Sequence, residues 1–125
     1  MRTGRILLGP LFVEHHPYGY GDKKYEEPWK QAVADECKSY WGEKPRLEEP
    51  VRLRLRFFLS QDCDYDLTGM LESTVNAIAN AVFLPSPKGG HRTPWNYDDS
   101  WVYSIEASKE FGDRKNGVEI TMWGL

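Results

Sequence analysis

Five of the aspartates in this chain fall into two groups: Asp62, Asp64 and Asp66 alternate just ahead of an apolar-periodic stretch, and Asp98-Asp99 stand directly before Trp101-Val102-Tyr103. Carboxylates gathered from two separate elements suit a hard divalent cation. Mg²⁺ takes a few of them, keeps waters and substrate phosphates as its other ligands, and polarises phosphoryl oxygens. The chemistry that such clusters could perform is phosphodiester hydrolysis. Each group also has a structural reading. Asp66 stands where a helix N-cap belongs, and Asp98-Asp99 could be an exposed turn.

The basic residues are also grouped. Arg52, Arg54 and Arg56 alternate with Leu53, Leu55 and Phe57, which makes one positive face that could track a phosphate backbone. The same row could equally solvate a sheet or neutralise neighbouring acids. Lys88, His91 and Arg92 lie in a stretch rich in Gly and Pro, a connector able to follow the shape of a duplex. Trp95 and Tyr97 could stack on an unpaired base or belong to the core. His15 and His16 read as solvent-facing loop residues.

Composition limits what these groups can belong to. The 125 residues carry 16 Lys and Arg against 19 Asp and Glu, a net charge of -3, which argues against a general positive coat for nucleic acid. This length suits a single domain, residues 1–125, with a core that needs no disulfide or metal staple. Cys37 and Cys63 make no Cys-x-x-Cys pair and read as reduced packing residues. The longest apolar runs, such as Ala81-Val82-Phe83-Leu84, fall far short of the ~20 residues of a membrane span. The N-terminal stretch has no signal-peptide core. The expectation is a soluble, cytoplasmic protein with no membrane partner.

The elements that must position these groups follow from periodicity. Arg5 to Val13 reads as a strand cut by Gly9-Pro10, and Glu14 to Lys24 as a loop. A helix begins with Pro28 at its first position, carries Trp29, Ala32, Val33, Cys37, Tyr40 and Trp41 on one face, and ends at Gly42. Val51 to Leu59 alternates strictly and is a strand. Leu67, Met70, Leu71, Val75, Ile78 and Val82 mark a second amphipathic helix. Trp101 to Phe111 and Gly117 to Trp123 read as two strands joined by a hairpin-type connector. The fold class is α/β, in the order β-α-β-α-β-β, with two helices packed on a mixed sheet. A helix packed in this way could bring the two acidic groups together at one edge of the sheet.

The run from Asp66 to Ile78, followed by Asp98-Asp99-Ser100-Trp101-Val102 and then Lys109, resembles the RusA family of Holliday-junction resolvases. That family has an Asp-x-Asp-Asn-Leu-x-Lys helix start continuing to Asp-Ala-Leu, then an Asp-Asp pair opening a strand, with a Lys ten residues beyond; here the second Asp and the Lys are Asp99 and Lys109. The resemblance covers most of the chain, thinly before residue 45. It implies a RusA-like fold, a homodimer, branched DNA such as a four-way junction as partner, Mg²⁺ or Mn²⁺ as cofactor, and a structure-specific endonuclease activity in recombination and repair. Carried over, Asp66 and Asp99 are metal ligands with Asp98 adjacent, and Lys109 belongs with them in the catalytic set.

Two positions depart from the pattern. Thr68 replaces the second Asp, and Glu72 replaces a Lys that stabilises charge on the scissile phosphate, so a weak neutral ligand and a reversed charge stand at key places. Asp64 and Glu72 are the residues available as substitute metal ligands. The alternative implied by these departures is a RusA-like protein that binds branched DNA without cutting it.

Overall fold

The computed structural model describes residues 4–18, 23–59, 66–85, 99–111 and 115–125. Its elements are β1 (Ile6–Glu14), α1 (Lys23–Trp41), β2 (Val51–Leu59), α2 (Leu67–Val82), a short 3₁₀ turn (Asp99–Trp101), β3 (Val102–Phe111) and β4 (Gly117–Gly124). Four strands form one mixed sheet in the order β1-β4-β2-β3. β4 is antiparallel to both of its neighbours, and β3 runs parallel to β2. The expected α/β class with two helices on a mixed sheet is present.

The alternation of β2 is what builds the two layers. Leu53, Leu55 and Phe57 are fully buried beneath the helices, while the arginines between them are half-buried on the opposite face. On α1, Trp29, Val33, Cys37 and Trp41 recur every fourth residue and all are buried. Met70, Ala77, Ile78, Ala81 and Val82 give α2 the matching face. Fully burying side chains of this size stabilises a fold by roughly 1.5–3 kcal/mol each. Trp29 Nε1 donates to Thr74 Oγ1 at 3.2 Å, and that hydroxyl donates to the Met70 carbonyl at 2.6 Å, so these two side chains are paired within the interface.

The C-terminus of α2 is held by a side chain from elsewhere. Arg46 Nη1 donates to the carbonyls of Asn80 and Phe83, each at 2.8 Å, supplying positive charge where a helix presents unpaired C=O groups. Beside it, the Leu47 N–H donates to Val82 O and the Leu84 N–H to Leu47 O.

Two expectations are corrected by the strand order and helix bounds. β3 and β4 are not a hairpin: β2 lies between them in the sheet. The turn-forming residues ahead of Gly117 gave no information about which strands pair. α1 begins at Lys23, so Pro28 sits inside the helix rather than at its first position. A proline there loses one backbone hydrogen bond near the helix start. The strand cut expected at Gly9-Pro10 is also absent, for β1 continues through it with irregular register. Gly9 has φ +92°, and a side chain there would collide with the Ile120 carbonyl.

Candidate functional site

Asp66 precedes α2 in the N-cap position, with extended φ -67° and ψ 142°, but its carboxylate makes no capping hydrogen bond. Only its backbone takes part, the carbonyl accepting from the Met70 N–H at 3.1 Å. The exposed carboxylate is therefore not spent on the helix. Thr68 and Glu72 follow on the same exposed face, one turn apart. Asp99 is exposed and opens the turn into β3, and Lys109 is half-buried on β3 beside Phe57. The Lys109 Nζ lies 5.9 Å from the centre of the Phe111 ring. Asp62, Asp64, Asp98, Lys88, His91, Arg92, Trp95 and Tyr97 lie outside the described residues, as does Cys63.

The topology fixes where the two principal aspartates stand relative to each other. Val51 pairs with Val102 and Leu59 with Phe111. Asp99, three residues before Val102, thus stands at the end of the sheet where β2 begins. α2 finishes at that same end, because Val82 and Leu84 bond to Leu47, four residues ahead of Val51. Traced backwards, α2 climbs towards the other end. Thr74 holds Trp29, Trp29 lies against the His15 ring, and the His15 N–H bonds to Asn116, next to where β4 starts. Asp66 is a further eight residues along, about 12 Å of helix.

Within one protomer, Asp66 and Asp99 therefore belong to opposite ends of β2. The expectation that a packed helix joins them at one edge is corrected, because parallel pairing of β2 and β3 returns the chain to the starting end before β3 begins. Lys109 shares the end that carries Asp66. Among the described residues, no three His, Cys, Asp or Glu side chains lie close enough to hold a metal ion. Asp66, Asp99 and Glu72 alone in one protomer do not make a cation site.

The arginine row divides in two. Arg56 is clamped: Nε and Nη2 donate to the two carboxylate oxygens of Glu110 at 2.7 and 3.0 Å, and Nη1 reaches Glu119 at 3.4 Å. The hydrogen bonds to Glu110, with added attraction from both acids, push its pKa up from its ordinary value. For Arg56 the contacts match the other reading of the row, neutralisation of neighbouring acids, since two carboxylates share its charge. Arg52 and Arg54 are different. Their guanidinium carbons lie 4.7 and 5.5 Å from the centre of the Trp123 ring, and Arg54 Nε and Thr121 Oγ1 have no hydrogen-bond partner. Arg52 faces Trp123, Arg54 faces Thr121 and Arg56 faces Glu119 across the β2–β4 pairing.

Several participants were missed in the sequence. Glu119, Thr121 and Trp123 share one parity on β4, a pattern visible in the sequence once β4 is known to neighbour β2. Tyr18 and Tyr25 stack with ring centres 5.2 Å apart, a pairing that no periodicity announces. Cys37 is a packing residue, as expected: burial, with the neighbouring Glu36 charge, pushes its thiol up to about 12 and leaves it un-ionised and unreactive at neutral pH.

A scan against protein-family models finds no match for this chain, and no curated protein matches it. No helix among the described residues is long and apolar enough to cross a membrane.

Proposed function

We propose that the chain works as a homodimeric, divalent-metal-dependent endonuclease on branched DNA, with each active site assembled from both subunits. The observation that carries this reading is the outer edge of β3 together with the separation of Asp66 and Asp99. The sheet has two edges. β1 contains Pro10, which has no N–H, and its register breaks twice. β3 is ten residues long, contains no proline, and pairs regularly with β2 from Ser104 to Phe111. Along it Tyr103, Ile105 and Phe111 are 64%, 39% and 56% exposed. A long, regular edge with apolar side chains is a template for another strand, and a second copy satisfies it with twofold symmetry.

Antiparallel pairing of two β3 edges sets the start of one strand against the end of the other. Asp99 of one protomer then falls at the end that carries Asp66 and Lys109 of the partner subunit. The donor set that one protomer lacks is completed twice, once at each end of the paired strands. Asp66 and Asp99, with Asp98 and Asp64 nearby in sequence and Glu72 one helical face away, are the residues that would hold Mg²⁺ or Mn²⁺. The ion supplies Lewis-acid polarisation of the phosphodiester. Lys109 offers positive charge to the same phosphate, and Arg52 and Arg54 hold the backbone on the open face of the sheet. Two sites related by a twofold axis suit a four-way junction, whose two strands to be cut are themselves related by a twofold.

The test is a synthetic four-way junction incubated with the protein plus Mg²⁺, plus EDTA, and with Asp99→Asn in place of the wild type. Paired cuts that need both the metal and Asp99 support the reading. Equal cutting in all three, or no cutting by folded wild type, sinks it. A second reading, binding of branched DNA without cleavage, is favoured by the exposure of Thr68 and Glu72 at the start of α2, where the RusA pattern has an Asp and a Lys. A metal-independent gel shift on the junction without cutting, with activity gained in Thr68→Asp/Glu72→Lys, would establish it.

A further inference from the structure

We propose that the Tyr18–Tyr25 stack, flanked by His16 and Lys24, is a nucleobase-stacking subsite whose ligand is an unpaired base of a DNA strand. It rests on the reading above for the kind of polymer bound, and not on cleavage. Four observations carry it. The Tyr18 and Tyr25 rings lie nearly parallel, 19° apart, and the His16 ring abuts Tyr18 from a tilted angle of 39°, with centres 4.9 Å apart. The outermost ring, Tyr25, is 43% exposed. The Lys24 ammonium lies 5.6 Å from the centre of that ring. The series is also fastened to the helix that carries Asp66, because the buried Ser73 Oγ donates to the Tyr18 carbonyl at 3.0 Å.

Packing alone accounts for Tyr18, which is partly buried against the core. It accounts for only one face of Tyr25, which stacks on Tyr18 and leaves the residue 43% exposed at the start of α1. An exposed ring already stacked on a second ring is a rigid π-surface, and every base has a π-face to offer it. Lys24 adds the positive charge that such platforms use to follow a phosphate backbone, since an ammonium near a ring can exchange that contact for a phosphate oxygen. Ser73 is seven residues from Asp66, about 10 Å along the helix. The platform therefore stands beside the phosphate position rather than on it, where a base splayed out of a branch point would fall.

The experiment uses the full chain and a short single-stranded oligothymidylate carrying one 5-iodouracil, irradiated so that the halogenated base cross-links preferentially to an aromatic ring in stacking contact. The expected product is a cross-link mapped by mass spectrometry to Tyr25, with Tyr25→Leu weakening binding about tenfold by fluorescence anisotropy and Tyr25→Phe restoring it. Because Tyr25 is exposed, equal melting temperatures of the variants check that folding is intact. Cross-links elsewhere, Tyr25→Leu binding within twofold of wild type, or no binding of this probe overturn the subsite. Junction cutting without the cross-link defeats this proposal alone. The cross-link without metal-dependent cutting defeats the nuclease reading alone.

Discussion

Arg56 and Glu110 meet as a two-pronged pair across the β2–β3 boundary, with Nε and Nη2 of the guanidinium on the two oxygens of one carboxylate. Planar, bidentate contact is the geometry in which arginine cannot be replaced by lysine. Glu119 approaches the same guanidinium from β4, so Arg56 ties together three strands. Arg52 and Arg54, four and two residues earlier, lie against the Trp123 ring.

This difference separates the effects of three similar mutations. Arg52→Gln and Arg54→Gln are expected to weaken DNA binding and to reduce the slope of log affinity against log salt by about one each. Arg56→Gln is expected to lower the melting temperature and leave the salt slope unchanged. Salt titrations of the three variants by anisotropy, with thermal melts, check it. A slope change for Arg56→Gln would return that residue to the phosphate contacts.

Mixed dimers test whether a site spans two protomers. Asp66→Asn and Asp99→Asn are each expected to be inactive alone. Refolded together, half of the dimers are hybrids, and each hybrid holds one site with both aspartates intact and one with neither, so about a quarter of wild-type nicking returns. If both aspartates act within one protomer, no activity returns. In the same frame Ile105→Lys is expected to yield monomers that have lost cutting, read by sedimentation and junction assay.

Thr74→Val keeps the shape of the buried threonine and removes the acceptor for Trp29 Nε1. An unpaired buried donor costs roughly 1–3 kcal/mol, so urea unfolding is expected to show a loss of that size. The double change Thr74→Val/Trp29→Phe is expected to cost less than the sum of the two single changes.

Cys37 gives a pH dependence with a definite sign. Its folded pKa is raised to about 12, from 9.0 when unburied. Its contribution is therefore full below about pH 9 and declines as pH rises towards 12, by at most about 1.4 kcal/mol per pH unit, because the unfolded chain loses a proton that the folded protein keeps. The stability difference between wild type and Cys37→Ala is expected to move in favour of the variant over that window. Iodoacetamide at pH 8 is expected to leave Cys37 unmodified in the folded protein.

What the residues disclosed by themselves was mostly local. The alternation of Val51 to Leu59 and the helical spacing of Met70, Ile78 and Val82 are imposed by burial of one face, so they appear in the chain and match β2 and α2. Pairing between strands leaves no such mark. Nothing in Gly117 to Trp123 says that this segment enters between β1 and β2, and without that placement neither the acids beside Arg56 nor the tryptophan beside Arg52 can be named. The aspartates were legible as types and as groups. Their separation was not, since it depends on β3 running parallel to β2.

The position of β4 bears on how the chain reaches this structure. β1 and β2 do not touch each other in the sheet; each is bonded to β4, the last strand in sequence. While the protein is being synthesised, its first two strands have no partner between them until residues 117–124 have left the ribosome. A sheet of such long-range contacts closes late and slowly. Until β4 arrives, β1 has no strand to pair with and β2 has only β3, so one edge of each stays open.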